Sequence, residues 1–167
     1  MRLNKRMARR AVTDKDRDAI AAFIEKHWRS RVVMSRGKPY QPHEHDGFLE
    51  TRDGRIVGLL TMVYEDGALQ ILTLNSVLEG ERIGSSLMLM AIDQARGQGI
   101  DRIWLTTTND NLRAMGFYQR LGFRMVQINV GAVDEARKTK PQIPETGMHG
   151  IAIHDEIVME LRLQAYT

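Results

Sequence analysis

The chain has 167 residues, no cysteine and a formal net charge of +3. This length predicts a single domain over residues 1–167, and the lack of cysteine excludes disulfides, thiolate metal sites and a cysteine nucleophile. No apolar run is long enough for a membrane span or a secretory signal, so we expect no membrane partner and a cytoplasmic location.

Basic residues are concentrated at the N-terminus, where Arg2, Lys5, Arg6, Arg9 and Arg10 stand among ten residues without an acid. Such an arm can touch nucleic acid, whereas a frayed terminus gives the same pattern. Because the rest of the chain has no basic stripe, we expect residues 1–7 to form a flexible basic arm and expect no nucleic-acid partner.

Apolar periodicity and turn residues define the elements of the first half. They predict a strand at 8–12, a helix at 15–28, an irregular segment at 29–46 with a short extended piece at 32–34, and strands at 47–51 and 55–64. Asp53-Gly54 is a hairpin signal, and Trp28 is expected to anchor the helix to the core. With the next strand, at 69–74, the strands at 47–51 and 55–64 make three consecutive antiparallel strands that lead into a parallel crossover.

The second half continues with alternating helices and strands. The pattern predicts a helix at 83–96, a strand at 103–107, a helix from 109–111 to about 121, and a strand at 124–129. A long connection at 131–154 with a helical turn at 133–138 precedes a closing strand at 156–163, antiparallel to 123–129. The strand–helix–strand unit at 69–107 predicts a right-handed parallel crossover, whose helix N-terminus can hold an anion.

Two blocks in this region resemble the signatures of the GNAT superfamily of N-acetyltransferases. Glu79-Gly80-Glu81-Arg82-Ile83-Gly84 looks like the family's pyrophosphate loop, although Arg82 stands where the family has glycine and Glu79 where it has Gln or Arg. Asn111-Leu112-Arg113-Ala114 with Phe117-Tyr118-Gln119-Arg120-Leu121-Gly122-Phe123 is similar to its second signature. The resemblance implies a mixed α/β domain with a central mixed sheet of about six or seven strands, flanked by helices.

The resemblance also implies a donor site for acetyl-coenzyme A. The amides of Ile83, Gly84, Ser85 and Ser86 would face the pyrophosphate, because the first amides of a helix have no intrahelical partner. Arg82 could place a guanidinium on a phosphate, although Glu79 and Glu81 would repel that phosphate.

Further donor contacts follow from the same resemblance. Main-chain groups of Leu72 and Leu74 would contact the pantetheine arm, and Asn111 would bind it as well, unless Asn111 is only a helix cap or Asn109 takes either role. Tyr118 falls where the family has its proposed acid, since a phenol can protonate a leaving thiolate; the alternative is a core tyrosine.

The sequence does not identify a general base. Relatives often have a strand glutamate near Gln70, and an amide cannot serve, which leaves Glu50, Glu65, His43 and His45 as alternatives. The segment His43-Glu44-His45-Asp46 invites a metal interpretation, but no third ligand is fixed by spacing, so we expect a polar loop and no metal.

We therefore predict an enzyme that transfers acetyl from acetyl-CoA directly to a primary amine of a small molecule, peptide or protein. The alternative is a non-catalytic CoA-binding regulatory module. The acceptor is not readable from the sequence, and homodimer formation is left open.

Overall fold

A computed structural model describes residues 6–164. Nine strands form within this range: β1 Met7–Ala11, β2 Val33–Ser35, β3 Lys38–Tyr40, β4 Asp46–Arg52, β5 Arg55–Glu65, β6 Ala68–Ser76, β7 Arg102–Thr108, β8 Arg124–Asn129 and β9 Glu156–Arg162. The α-helices are α1 Arg17–Trp28, α2 Ile83–Gly97, α3 Leu112–Arg120 and α4 Ala132–Thr139. None of the helices between residues 6 and 164 is long and apolar enough to cross a membrane.

Seven of the strands form one mixed sheet in the order β1-β4-β5-β6-β7-β9-β8. Strands β4, β5 and β6 are consecutive and antiparallel, β6 and β7 are parallel, and β9 lies antiparallel between β7 and β8. The predicted mixed sheet of about six or seven strands is therefore confirmed, as is the antiparallel pairing of the closing strand with 124–129.

Helices cover the two faces of the sheet. α1 packs Ile20, Phe23 and Ile24 on Leu49 and Leu59, while α2 and α3 cover the larger core on the other face, around Leu60, Leu69, Leu87 and Ile103. Gly58 permits the close approach of α2, because a Cβ at residue 58 would lie 2.3 Å from Ile83 Cγ2. This glycine fixes where the first turn of α2 lies on the sheet.

The first half of the chain differs from the sequence predictions in several elements. Residues 1–5 of the predicted flexible arm lie outside the described residues, whereas Met7 pairs with Arg52 and Arg6 exchanges hydrogen bonds with Asp53. The first helix begins at Arg17 after a 3₁₀ turn at Asp14–Asp16. The segment predicted to be irregular contains the β2–β3 hairpin.

Candidate active site

Two parallel strands separate in the middle of the sheet. β6 and β7 pair only where Leu69 faces Ile103 and Gln70 faces Trp104. Just beyond this point β6 has a bulge, since Thr73 lies opposite Thr61 and Ile71 opposite Met62, which leaves Leu72 as the extra residue. A bulge bends its strand, so the sheet opens after Gln70.

The opening forms a cavity of about 330 Å³, here called the strand-gap cavity. One wall is the second half of β6, with Leu72 and Leu74, and the other is β7 from Leu105 to Thr108. Asn111 and Tyr118 of the α3 region also line it. The two strand residues predicted to contact a pantetheine arm thus lie on the edge of β6 that has no partner in β7.

The start of α2 borders a second cavity of about 480 Å³, the helix-start cavity. Arg82, Ile83, Gly84 and Ser85 line it, together with Tyr118. Arg82 adopts the left-handed conformation with φ 54°, although this conformation costs an L-residue other than glycine about 1–2 kcal/mol. The loop therefore keeps the backbone shape for which the family uses glycine.

One member of the predicted phosphate-binding set does not fit. The N–H of Ser86 donates to the carbonyl oxygen of Arg82 at 3.0 Å, and Ser86 is not among the residues that line the helix-start cavity. The prediction that its amide lacks an intrahelical partner is wrong, because Arg82 itself provides the first carbonyl of the helical ladder. The amides of Ile83, Gly84 and Ser85 precede this first bond.

The two acidic residues of the loop are paired with arginines. Glu79 accepts a hydrogen bond from Arg113 at 3.0 Å, and Glu81 forms an ion pair with Arg52. The expected repulsion of a phosphate is reduced accordingly, since each carboxylate is paired with an arginine, although Arg52 also pairs with Glu50. Arg82 has no ion pair within residues 6–164, so its guanidinium remains available.

The structure separates the roles of the two asparagines. Asn111 caps α3, its Oδ1 accepting from the N–H of Ala114 at 3.2 Å, and it also lines both cavities. Asn109 instead holds the connection before β9: its Oδ1 accepts from the N–H groups of His154 and Asp155, and its Nδ2 donates to the carbonyl of Ala152. Asn109 therefore positions a loop.

Tyr118 lies two turns after Asn111 on α3 and is 9% exposed. Its ring contacts the rings of Phe117 and Phe123, and the residue lines both the strand-gap and the helix-start cavity. Burial raises the pKa of Tyr118 well above its ordinary value. The phenol is therefore a neutral hydrogen-bond donor at physiological pH.

A third cavity, the side cavity, opens next to the strand gap and has a volume of about 270 Å³. It shares Trp28, Leu72, Asn111 and the segment Thr106–Thr108 with the strand-gap cavity. The rest of its wall comes from the β2–β3 hairpin, from α4 and the residues after it, and from Glu156 at the start of β9. The helical turn predicted at 133–138 is α4.

Side chains hold these separate segments in place. Arg137 donates to the carbonyls of Ile143, Pro144 and Ile153, and Asp110 accepts from the N–H of Met148.

Trp28, predicted to anchor α1 in the core, is instead 41% exposed, and its Nε1 donates to Asn75 Oδ1 at 2.7 Å. It thus connects the end of α1 to the end of β6 at the cavity wall.

Most of the base candidates from the sequence lie away from the cavities or are paired. Glu50 is fully buried between Arg9 and Arg52, and Glu65 contacts Lys38 and Tyr40. His43 and His45 line none of the three cavities.

Gln70 lies near the strand position at which the resemblance implies a glutamate. It is 1% exposed and donates to Ser35 Oγ at 2.7 Å.

Sequence reasoning missed Glu156, which lines the side cavity; the only available signal was a glutamate at an inward position of an alternating strand. No group of three or more potential metal ligands occurs in the described part of the chain.

Comparison with known proteins agrees with this architecture. The sequence profile of the acetyltransferase (GNAT) family matches residues 10–123, and the chain belongs to this family. Two uncharacterized proteins of Bacillus subtilis (strain 168) are similar. YxbD is 40% identical over 89% of this chain and 94% of its own length, and YdhI is 33% identical over 93% and 92%.

Solved structures of acetyltransferases share the fold. The ribosomal-protein-S18-alanine N-acetyltransferase of Escherichia coli superimposes with a TM-score of 0.68 at 17% identity, covering 97% of each chain. A Bacillus subtilis acetyltransferase in complex with CoA gives a TM-score of 0.64 at 17% identity, covering 95% of this chain and 100% of that one.

Proposed function

We propose that this protein transfers an acetyl group from acetyl-CoA to a primary amine by direct attack of the amine on the thioester. The observation that carries the proposal is the gap between β6 and β7, which leads to the first turn of α2 and is lined by Tyr118. A GNAT-family fold with a solved CoA complex among its structural neighbours supports the same donor.

The described residues fit this donor in two chemical respects. Beyond Gln70 the edge of β6 has no β7 partner, and an extended amide-containing chain can pair with a free strand edge at Leu72 and Leu74. The amides of Ile83, Gly84 and Ser85 point out of the helix start, where backbone donors and the helix dipole favour a pyrophosphate. Arg82 would add a guanidinium, and Asn111 a polar contact to the arm.

Tyr118 has the properties of the acid that the reaction needs. When the amine attacks the thioester, the C–S bond breaks and a thiolate leaves, which takes up a proton. Burial raises the pKa of Tyr118, so its hydroxyl is protonated at neutral pH and is available to donate a proton to the sulfur as the C–S bond breaks. A positioned acid contributes about 10²–10⁴ in rate.

One observation favours a second candidate, a non-catalytic CoA-binding module. Gln70 stands where relatives have a strand glutamate, and its amide is bonded to Ser35 inside the core, so no base acts from this strand position. A protein of this kind would bind the donor without turnover.

Calorimetry and thiol release distinguish these candidates. Acetyl-CoA should bind and raise the melting temperature, because a ligand of the native state stabilises it by mass action. The enzyme should then release free CoA thiol when amines are added, whereas the binding module should not. If millimolar acetyl-CoA gives neither heat nor a thermal shift, both candidates are wrong.

A further inference from the structure

Glu156 differs from the other buried or partly buried glutamates in having no cation. Glu50 is paired with Arg9 and Arg52, Glu65 with Lys38, and Glu160 with Arg102 and Arg162. Glu156 is only 9% exposed, and it accepts hydrogen bonds from the neutral main-chain N–H of Arg36 at 3.1 Å and from Asn129 Nδ2 at 3.0 Å. A buried carboxylate without a cation is costly unless a positive charge reaches it.

The side cavity gives a positive charge access to Glu156. Among the described residues that line this cavity, Glu156 carries the only carboxylate. It lies directly opposite Thr108 in the β7–β9 ladder, and Thr108 belongs to the wall that the side cavity shares with the strand gap. Opposed residues have Cβ atoms about 4.5–5.5 Å apart, so Glu156 lies next to the wall that the two cavities share.

The cations around this carboxylate are directed elsewhere. The guanidinium of Arg36 lies over the Trp104 ring, 5.4 Å from its centre. The ammonium of Lys140 donates to the carbonyl of Val32, and burial lowers its pKa. Arg29 lies on the cavity wall without an ion pair to Glu156 in the described range, and Asp155, the neighbouring acid, accepts from the N–H of Gly131.

Asp110 is the other buried acid without a cation, and it is used differently. Its carboxylate accepts from the hydroxyl of Thr108 and the N–H of Met148, and it lines none of the three cavities. Each carboxylate oxygen can accept two hydrogen bonds, so Glu156, with one protein donor on each oxygen, retains acceptor capacity towards the cavity.

We propose that Glu156 binds the ammonium group of the acceptor and removes its proton, and that the side cavity selects amines carried on an apolar group. This inference rests on the proposed acetyl transfer. The walls around the carboxylate are mainly apolar, with Val33, Met34, Leu72, Val133 and Ile143 among them. The volume of about 270 Å³ suits a small amine or a single N-terminal residue rather than a longer polar chain.

The proton balance closes with the groups present. Glu156 takes one proton from the ammonium ion, and the freed nitrogen forms the C–N bond to the acetyl carbon. The C–S bond then breaks, the thiolate takes the proton of Tyr118, and the second proton lost by nitrogen returns to the phenolate. Glu156 finally releases its proton to solvent, so that one proton is produced per amide formed.

The decisive variant is Glu156→Gln, with Glu65→Gln as the matched control. We expect kcat/KM for an apolar amine to fall about 10²–10⁴-fold at pH 7 in the first variant and to stay within threefold in the control. The loss in Glu156→Gln should shrink as the pH rises towards 10, because the free-base fraction of an alkyl amine then increases without a protein base. A loss of stability alone would lower activity equally at every pH.

Further measurements and variants keep the test conclusive. Acetyl-CoA affinity and melting temperature are determined for both variants, and Asn129→Ala, which removes a Glu156 partner and leaves the carboxylate, should retain activity within tenfold. Phenethylamine and a peptide with N-terminal leucine distinguish a free amine from a chain terminus. Ala136→Phe, which narrows the side cavity, should reduce turnover of these acceptors more than that of methylamine.

The outcomes separate the two proposals. If the wild-type protein neither binds acetyl-CoA nor releases thiol with any amine, the proposed function fails. If the wild-type protein turns over and Glu156→Gln keeps the wild-type rate and pH profile, the assignment of Glu156 is overturned while acetyl transfer stands. An equal response of methylamine and of the two apolar acceptors to Ala136→Phe would overturn the selectivity of the side cavity.

Discussion

The two halves of the candidate active site are built in different ways. The donor half comes from one continuous stretch, β6 through α3, and offers mainly main-chain groups: the free edge of β6 and the first amides of α2. The acceptor half is assembled from the end of α1, the β2–β3 hairpin, α4 and the residues before β9. Individual side chains, such as Arg137 and Asn109, hold these pieces together.

This difference has a consequence for how each half tolerates change. Main-chain groups remain when side chains are substituted, so one donor site can persist while sequences diverge. An acceptor cavity held by a few side-chain hydrogen bonds can change its shape with single substitutions. We therefore expect mutations in the donor half to affect binding and chemistry, and those in the acceptor half, apart from the proposed base Glu156, to affect mainly the KM of the amine.

Tyr118→Phe should give the largest effect and tests the chemical role of the donor half. Only the hydroxyl is removed, so the packing on Phe117 and Phe123 is retained. We expect single-turnover acetyl transfer to slow by about 10²–10⁴, while acetyl-CoA affinity changes by less than about 1 kcal/mol. A rate within threefold of wild type on folded, cofactor-saturated protein would exclude the acid role.

Arg82 tests whether the donor half relies on a side chain after all. If its guanidinium contacts a phosphate, Arg82→Ala should weaken acetyl-CoA binding by about 1–3 kcal/mol, as for other charge-assisted contacts. Calorimetry at two salt concentrations measures this. Arg82→Gly is the control, since glycine adopts the observed φ of 54° without strain; binding by both variants at wild-type affinity would leave the backbone as the only phosphate contact.

Asn109→Ala tests the acceptor half. The change removes three hydrogen bonds to residues 152–155, and at about 1 kcal/mol for each neutral bond the loop should open part of the time. We expect KM for the amine to rise about tenfold, with acetyl-CoA affinity within twofold of wild type. If affinity for acetyl-CoA falls as much as affinity for the amine, the two halves are not independent.

Asp134→Asn should have the smallest effect of these variants, and its effect on the melting temperature should depend on pH. A hydrogen bond from His154, supported by Arg137, holds the pKa of Asp134 below its ordinary range. A carboxylate with a lowered folded-state pKa stabilises the fold above its unfolded pKa, and this contribution is lost as the pH falls through the folded value. Asp134→Asn should therefore lower the melting temperature slightly at pH 5 and less at pH 3.

Glu135→Gln is the matched control for this measurement. Glu135 is the next residue of α4 and pairs with Lys138 on the same helix, so its loss leaves the contact with His154 in place. The control should leave the KM of the amine unchanged, whereas Asp134→Asn should raise it. Equal effects of both changes would mean that the Asp134–His154 contact does not hold the acceptor half.

The sequence predicted the arrangement of β6 to α3 better than that of the segments around the side cavity, for physical reasons. Asn111 and Tyr118 share one helix, so their spacing alone placed them near one another. The predicted phosphate-binding set extended one residue too far, to Ser86. The Ser86 amide is already used inside the helix, because the carbonyl of the left-handed Arg82 accepts its hydrogen bond. The β2–β3 hairpin was missed because its turn has Arg36 at φ 51° before Gly37, where Asn or Asp is the usual signal.

The acceptor half depends on contacts between residues far apart in the chain. Trp28 follows an apolar helix face and was expected in the core, yet its indole N–H is satisfied by Asn75, 47 residues later. Glu156 was not considered as a base, since its environment is created by Arg36 and Asn129. No local pattern encodes such partners, and no spacing rule would have found them.

The short pairing of β6 with β7 also has a mechanical meaning. Strands β1, β4, β5 and β6 form one part of the sheet, and β7, β9 and β8 form the other. In the described residues, strand pairing joins the two parts only at Leu69 and Gln70. Helix α2 follows β6 and precedes β7 in the chain, so it connects the two parts covalently. A donor bound in the gap would pair with the free ends of β6 and β7 and hold the two parts of the sheet together. Hydrogen exchange at these strand ends should therefore slow when the donor binds, while the outer strands keep their rates.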